Sequence, residues 1–315
     1  MTRDVHMPRL DGATQWLNSE PLDPADLRGN VVLVNFWTLT CINWLRTQPH
    51  VRAWAQAYRA AGLVVVAVHT PEFSFEHDAG LVRQAAADRG IDYPIAVDND
   101  YAVWDAFANS YWPALYFIDR NGVIRDEHFG EGSYEESEQT LQSLLGVSAA
   151  PAPVKALGIE ADADRRNLKT PETYLGYARG GQSASPGDVA FDRRQTYELP
   201  KHRPGNSWAL SGDWTVGSEC VMPYGPDSVL AFRFHARDVN LVLNRTGAEP
   251  IPFQVLLDGE PPAGSHGVDV DEDGNGLLAG GRLYQLIRQD GKISERTVEI
   301  IFPEPGAEAY AFTFG

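Results

Sequence analysis

The run Val34-Asn35-Phe36-Trp37-Thr38-Leu39-Thr40-Cys41-Ile42-Asn43-Trp44 sets a cysteine between an apolar segment and a stretch of helical composition. A thiol there meets the unpaired N–H groups of a first helical turn and the positive end of the helix dipole. Both favour the thiolate and lower the thiol pKa below its unperturbed value of about 8.5. Such a thiolate attacks disulfides or peroxides, and the adduct is ordinarily released by a second thiol close by. Trp44 stands where a dithiol would carry that second sulfur. The other cysteine, Cys220, lies far downstream in a segment of different character, so spacing yields neither a dithiol nor a metal-ligand set. Redox chemistry at Cys41 must therefore draw its second sulfur from elsewhere.

The elements that position Cys41 follow from hydrophobic pattern. Val31 to Phe36 and Leu63 to His69 are continuous apolar, β-branched runs, as in strands buried on both faces. Between them, Ile42 to Ala61 is helical, with Val51, Trp54, Ala55 and Tyr58 on one face, a kink expected at Pro49 and a stop at Gly62. Helices are also predicted over Ala79 to Asp88 and Tyr101 to Ala108. A strand over Ala114 to Ile118 then turns through Asn121-Gly122 into Val123 to Phe129. Ser133 with Glu136 has the pattern of a capping box and opens a last helix to Leu145. The order reads β-α-β-α-α-β-β-α.

Beyond residue 146 the character changes. Residues 147–158 are mostly small and proline-bearing and read as a linker. Short alternating segments follow: Ala231 to His235, Val239 to Leu243, Phe253 to Leu257, Leu283 to Ile287, Thr297 to Phe302 and Tyr310 to Phe314. With turn residues between them and no long amphipathic helix, they predict an all-β sandwich over 159–315. The length of 315 residues and the 43% hydrophobic content suit two such domains, 1–146 and 159–315. The formal charge of -17 disfavours nucleic acid and anionic membranes as partners. The N-terminus lacks the apolar core of a secretory signal, and no apolar stretch is long enough to span a bilayer. As it stands, the chain is expected to be cytoplasmic, with a periplasmic or other extracytoplasmic site as the alternative for a fragment or mature form.

Phe36-Trp37 before Cys41, Pro49 in the following helix and Trp112-Pro113 before the Ala114 strand resemble the thioredoxin superfamily, in its TlpA/ResA-like branch that borders the peroxiredoxins. The whole chain resembles the soluble redoxin-plus-sandwich region of DipZ-type proteins. The sandwich matches are Thr170-Pro171-Glu172-Thr173-Tyr174-Leu175-Gly176, Arg282-Leu283-Tyr284-Gln285-Leu286-Ile287-Arg288 and Ala311-Phe312-Thr313-Phe314-Gly315. The resemblance implies an α/β thioredoxin fold followed by a jelly-roll-like sandwich similar to a carbohydrate-binding module. It also implies a cis Pro113 facing Cys41 and an extracytoplasmic setting. Trp44 is the departure from the family's paired cysteines.

On this reading Cys41 is catalytic, and Thr38, Trp44, Trp112 and Pro113 form the substrate-binding set. Trp44 either offers a stacking platform or plugs the space that the second cysteine vacated. Thr38 with Cys41 is half of the peroxiredoxin signature, in which the hydroxyl orients a peroxide, or else it caps the helical turn. Glu72 is a candidate for proton transfer at the sulfur. His69, Glu72, Glu76 and His77 do not have the spacing of a known ligand set, so no metal is expected. Asp269, Asp271 and Asp273 with Gly274 look briefly like a calcium loop, but Gly280 stands where a bidentate glutamate is needed, and a solvated turn is the better reading. Trp208, Trp214 and Tyr284, with Tyr177, are candidates for stacking on a sugar.

The expected function is thiol-disulfide exchange by a monothiol route. It needs no cofactor beyond an external thiol as resolving reductant, and its partner is a disulfide-bearing protein or a low-molecular-weight disulfide, with carbohydrate as a further partner. The alternatives are a non-catalytic binding module on a thioredoxin scaffold and a one-cysteine peroxidase.

Overall fold

Helix-strand alternation in the first half of the chain resolves, in the computed structural model, into β1 (Gln15–Leu17), β2 (Val31–Trp37), α1 (Ile42–Tyr58), β3 (Leu63–His69), α2 (Ala79–Asp88), β4 (Ile95–Val97), α3 (Ala102–Ala106), β5 (Ala114–Ile118), β6 (Ile124–Phe129) and α4 (Tyr134–Leu145). The structure describes residues 5–148, 154, 158–180, 183–226 and 228–315. The chain divides between Glu160 and Ala161 into two compact units. Most of the expected 147–158 linker lies outside the described residues. Residues 158–160 form a short 3-10 turn, in which Glu160 accepts from Arg89 at 3.2 Å.

The first unit is a thioredoxin fold around a mixed sheet of order β1-β4-β3-β2-β5-β6. The continuous apolar run of β2 is buried along its whole length because β2 is central, parallel to β3 and antiparallel to β5. Register decides what converges at its C-terminal end. Trp37 pairs with His69, and Phe36 pairs with Ala114. The segment after Trp37, the segment after His69 and the residues before Ala114 therefore meet at one end of the sheet.

A parallel pair requires a crossover, and α1 supplies it. Its buried face includes Val51, Trp54, Ala55 and Tyr58, as the spacing predicts, and the helix runs through Pro49. Full burial of side chains of this size is worth about 1.5–3 kcal/mol each. Glu138 on α4 ties the helices together by accepting from Trp54 Nε1 at 3.3 Å and from the Tyr58 hydroxyl at 2.6 Å. Ser133 is the N-cap of α4, but its φ of 48° is left-handed and its side chain makes no capping bond, so the expected capping box does not form.

The second unit is a single curled antiparallel sheet. Its strands are β7 (Thr173–Tyr174), β8 (Arg194–Tyr197), β9 (Ser207–Val216), β10 (Val221–Pro223), β11 (Ser228–Phe234), β12 (Asp238–Arg245), β13 (Ile251–Leu257), β14 (Asn275–Leu278), β15 (Arg282–Arg288), β16 (Arg296–Phe302) and β17 (Ala307–Phe314). The order is β14-β13-β16-β11-β9-β10-β17-β12-β15, with β7 on β17 and β8 on β9. All six strand segments expected from the alternation are present. Strand β9 does what a flat strand does not: residues 207–211 pair with β11, and residues 212–216 pair with β8 and β10. The change of partners falls at Gly212, whose φ is +87°. The curl encloses a core that includes Trp214, Phe232, Phe253, Tyr284, Phe302 and Phe312.

Gly212→Ala is expected to lower the unfolding free energy by about 1–3 kcal/mol, because a Cβ is disfavoured at this φ and would sit 3.1 Å from Ser228 Oγ. Gly247→Ala, which meets nothing within 4 Å, is the control. Equal urea midpoints for the two variants would contradict this account of the curl.

Candidate functional site

After β2 the chain turns through Thr38-Leu39-Thr40 and enters α1 with Cys41 as its N-cap. The Cys41 N–H donates to Thr38 O at 3.3 Å, and Cys41 O accepts from the Leu45 N–H at 3.0 Å, so the cysteine backbone is fixed on both sides. The first turn of α1 carries no acidic residue, so no side chain of the helix's own first turn opposes the positive end of its dipole beside the sulfur. The thiol is partly exposed.

The Cys41 sulfur lies 3.6 Å from the carbonyl oxygen of Trp112. The Trp112–Pro113 peptide bond is cis, and Pro113 O accepts from the Gly130 N–H at 2.8 Å. Arg46 on α1 pairs with Glu131, next to Gly130, at 3.2 Å, with both side chains largely buried. The pair connects the helix that carries the thiol to the loop that braces the proline. Nothing in residue spacing points to it, because its members are brought together only by the sheet.

The carboxyl that engages the turn before Cys41 is that of Glu76. Its Oε2 accepts from the Thr38 hydroxyl at 2.6 Å and from the backbone N–H groups of Glu72 at 2.5 Å and Phe73 at 3.0 Å. Its Oε1 accepts from the Thr40 hydroxyl at 2.7 Å and the Thr40 N–H at 3.2 Å. Glu76 thus fastens the loop after β3 to the turn that carries Cys41. It has no exposed surface, and burial pushes its carboxyl up to about 7 against the opposing effect of these donors. Glu72 is only half-buried and contributes its N–H to this network. Glu76 directly follows Phe73-Ser74-Phe75, and that aromatic context is the one sequence signal that could have singled it out.

Trp44 is fully buried, with its ring stacked on Trp37 at 4.2 Å between centroids and 22° between planes. The guanidinium of Arg89 lies 5.8 Å from the Trp44 ring centroid. It is therefore a plug and offers no platform to a substrate. Thr38 is wholly buried, which removes it from direct substrate contact, and its hydroxyl donates to Glu76. Trp112 is half-buried and lies 4.3 Å from Trp104 between ring centroids, so it borders the site through its carbonyl. His69 is buried edge-on to Trp37, and burial holds its imidazole down to about 3, in the neutral form. Among the described residues no group of three or more histidine, cysteine, aspartate or glutamate side chains is placed to hold a metal.

The aromatic residues expected to stack on a sugar are corrected by their burial. Trp208 is 2% exposed, and Trp214 and Tyr284 are wholly buried in the core of the second unit. Alternation places them on the inner face of the curled sheet. Tyr177 is exposed and packs on Phe191 at 4.7 Å. Asp271 accepts from the Asn275 backbone at 2.8 Å, and Asp269 is engaged by Arg282 and the Gln285 N–H, each at 2.7 Å, as in a closed turn. Cys220 is buried, and burial pushes its thiol up to about 12.

Residues 5–127 match the AhpC/TSA family, and residues 170–315 match the thioredoxin-like C-terminal domain. The DipZ protein of Mycobacterium bovis is 37% identical over 98% of this chain, which spans 42% of that relative. The thiol-disulfide oxidoreductase YkuV of Bacillus subtilis is 37% identical over 44% of this chain and 93% of its own length. A solved thioredoxin-like protein in its oxidised form is 34% identical, with a TM-score of 0.43 over 46% of this chain and 98% of its own. Among the described residues no helix is long and apolar enough to cross a membrane.

Trp44→Ala is expected to cost about 3–5 kcal/mol of stability by opening a cavity against Trp37; a loss near zero by urea unfolding would mean that the stack carries no load. Glu76 generates a second expectation. Its folded pKa is raised from 4.5 to about 7, so in that window the folded protein holds a proton that the unfolded chain has released. Stability therefore falls as pH rises from about 4.5 to 7 and levels off above. Glu76→Gln removes that slope, so its urea midpoint relative to wild type should rise between pH 5 and pH 8. A difference independent of pH would contradict the placement of this acid.

Proposed function

The chain belongs to the family of thioredoxin-like thiol-disulfide oxidoreductases, and on that premise we propose that it exchanges disulfides through one sulfur of its own, Cys41. The observation that carries this reading is the position of that thiol. Cys41 is the N-cap residue of α1, and its sulfur lies 3.6 Å from the Trp112 carbonyl ahead of cis Pro113, while Trp44 fills the place of a second cysteine.

In the first step the Cys41 thiolate attacks one sulfur of a substrate disulfide. A bond forms between Cys41 Sγ and that sulfur, the substrate S–S bond breaks, and the departing thiolate takes up a proton from solvent. The backbone beside Pro113 is the place for the extended substrate segment. In the second step an external thiolate attacks the substrate sulfur, forming a new disulfide with it and returning Cys41 as thiolate. Cys220 is a poor candidate for that role, because a thiol pushed up to about 12 has almost no thiolate at neutral pH. Both disulfide-bearing proteins and low-molecular-weight disulfides fit this scheme. One-cysteine peroxidase chemistry is less well supported, since Thr38 is wholly buried and Val34 stands where the peroxiredoxin motif has proline.

Brief exposure of the reduced protein to a stoichiometric low-molecular-weight disulfide is expected to add one half-disulfide by intact mass. The adduct should be lost in Cys41→Ser and kept in Cys220→Ser. An adduct that survives Cys41→Ser would sink the assignment. Fast sulfenic acid formation with peroxide, alongside slow reaction with the disulfide, would favour the peroxidase reading.

A further inference from the structure

The second unit holds a cavity of about 160 Å³ that its core does not fill. Leu175, Trp208 and Val216, each at most 2% exposed, form its apolar wall with the partly buried Val189. Tyr177 and Phe191, 40% and 55% exposed, stand at its mouth with their rings 4.7 Å apart at 49°. Backbone bonds fix these walls. The Tyr177 N–H donates to Gly217 O at 3.0 Å and the Asp192 N–H to Val216 O at 2.9 Å, so the segments that carry the two exposed rings are both fastened at the end of β9. The Ala184 N–H donates to Trp208 O at 2.8 Å, which ties the residue after Ser183 to the same strand. Gly176 permits the close approach, because a Cβ there would lie 2.3 Å from the backbone of Glu219.

The lining decides what the cavity can take. Among the described residues no charged side chain lines it, so an ion would lose its water there without gaining a counter-charge. Three polar side-chain groups belong to it: the Ser183 hydroxyl, the Tyr177 hydroxyl, which donates to Asp192 at 2.8 Å, and the Trp208 indole N–H. The indole nitrogen is buried and has no hydrogen-bond partner among the described residues. A buried donor left unpaired is costly, and a ligand acceptor that meets it removes that cost. A sugar ring, with a hydroxyl on most of its carbons, would leave several of them unpaired against this wall. A cavity of about 150 Å³ with apolar walls holds one benzene ring, so the volume here suits a single aromatic ring.

We propose that this cavity is a binding site for a neutral, single-ring aromatic molecule whose one acceptor oxygen meets the Trp208 indole N–H. Its ring is held by the aliphatic wall and by edge or offset contacts with the Tyr177–Phe191 pair. The site lies wholly within the second unit, so the inference stands apart from exchange at Cys41.

The test titrates two ligands into the isotope-labelled full chain: acetophenone, which carries such an oxygen, and isopropylbenzene, a molecule of the same shape without one. NMR follows the Trp208 indole resonance, identified by its absence in Trp208→Phe, and the amides of the lining residues. Acetophenone is expected to move these resonances saturably at millimolar concentration. In Trp208→Phe the Kd for acetophenone should rise about threefold to tenfold, the worth of one neutral hydrogen bond, while that for isopropylbenzene stays unchanged. Phe191→Ala, at a position more than half exposed, should weaken both ligands. No saturable shift with either ligand, or affinities that Phe191→Ala leaves unchanged, overturns the site. Equal changes for the two ligands in Trp208→Phe overturn the part given to the indole N–H. Tighter binding of a methyl glucoside than of acetophenone at the same resonances would make this a sugar site and overturn the ligand class.

Discussion

Strand β2 cannot slip by one residue against its neighbours without turning its side chains to the opposite face of the sheet, and the whole site hangs on that register. With Trp37 opposite His69 and Phe36 opposite Ala114, three strand ends are held together by main-chain hydrogen bonds. Cys41, Glu76 and Pro113, scattered along the sequence, thereby share one end of the sheet. The Glu76 network then fixes the remaining freedom of the loop after β3. The Arg46–Glu131 pair does the same for the helix and the proline loop.

Within that frame, the exchange of a second cysteine for tryptophan has a structural gain and a chemical cost. Trp44 adds a stacked aromatic contact to Trp37 and a cation near its ring, deep in the unit. On α1 itself, the position three residues after Cys41 offers no thiol. The burial of Cys220 points the same way, because a thiol held protonated is a slow nucleophile. In the proposed scheme the missing half of the chemistry belongs to another molecule.

Most of the first unit was legible because buried strands and an amphipathic crossover leave strong periodic signals. Val31–Trp37, Leu63–His69 and the α1 face carry them. The short strands β1 and β4, at three residues each, are too brief for a pattern, and β9 was hidden by Gly212 and Asp213 in its middle. Cys41 stood out by its place between an apolar run and a helix, and Trp112 and Pro113 by their resemblance to the family's cis-proline. Glu76 did not outrank Glu72, because which of two nearby carboxylates turns inward is decided by the loop after β3, where no period operates. The tryptophans of the second unit misled for a related reason: a residue suited to stacking on a ligand is equally suited to a core, and only the curl of the sheet shows which face is inside.

The central claim is that one sulfur of this chain enters the chemistry and none of its own releases it. The most direct measurement is the lifetime of a purified Cys41 mixed disulfide, followed by intact mass with and without added small thiol. The account requires the adduct to persist alone and to be released when the thiol is supplied. Spontaneous release with formation of a disulfide between Cys41 and Cys220 would contradict it.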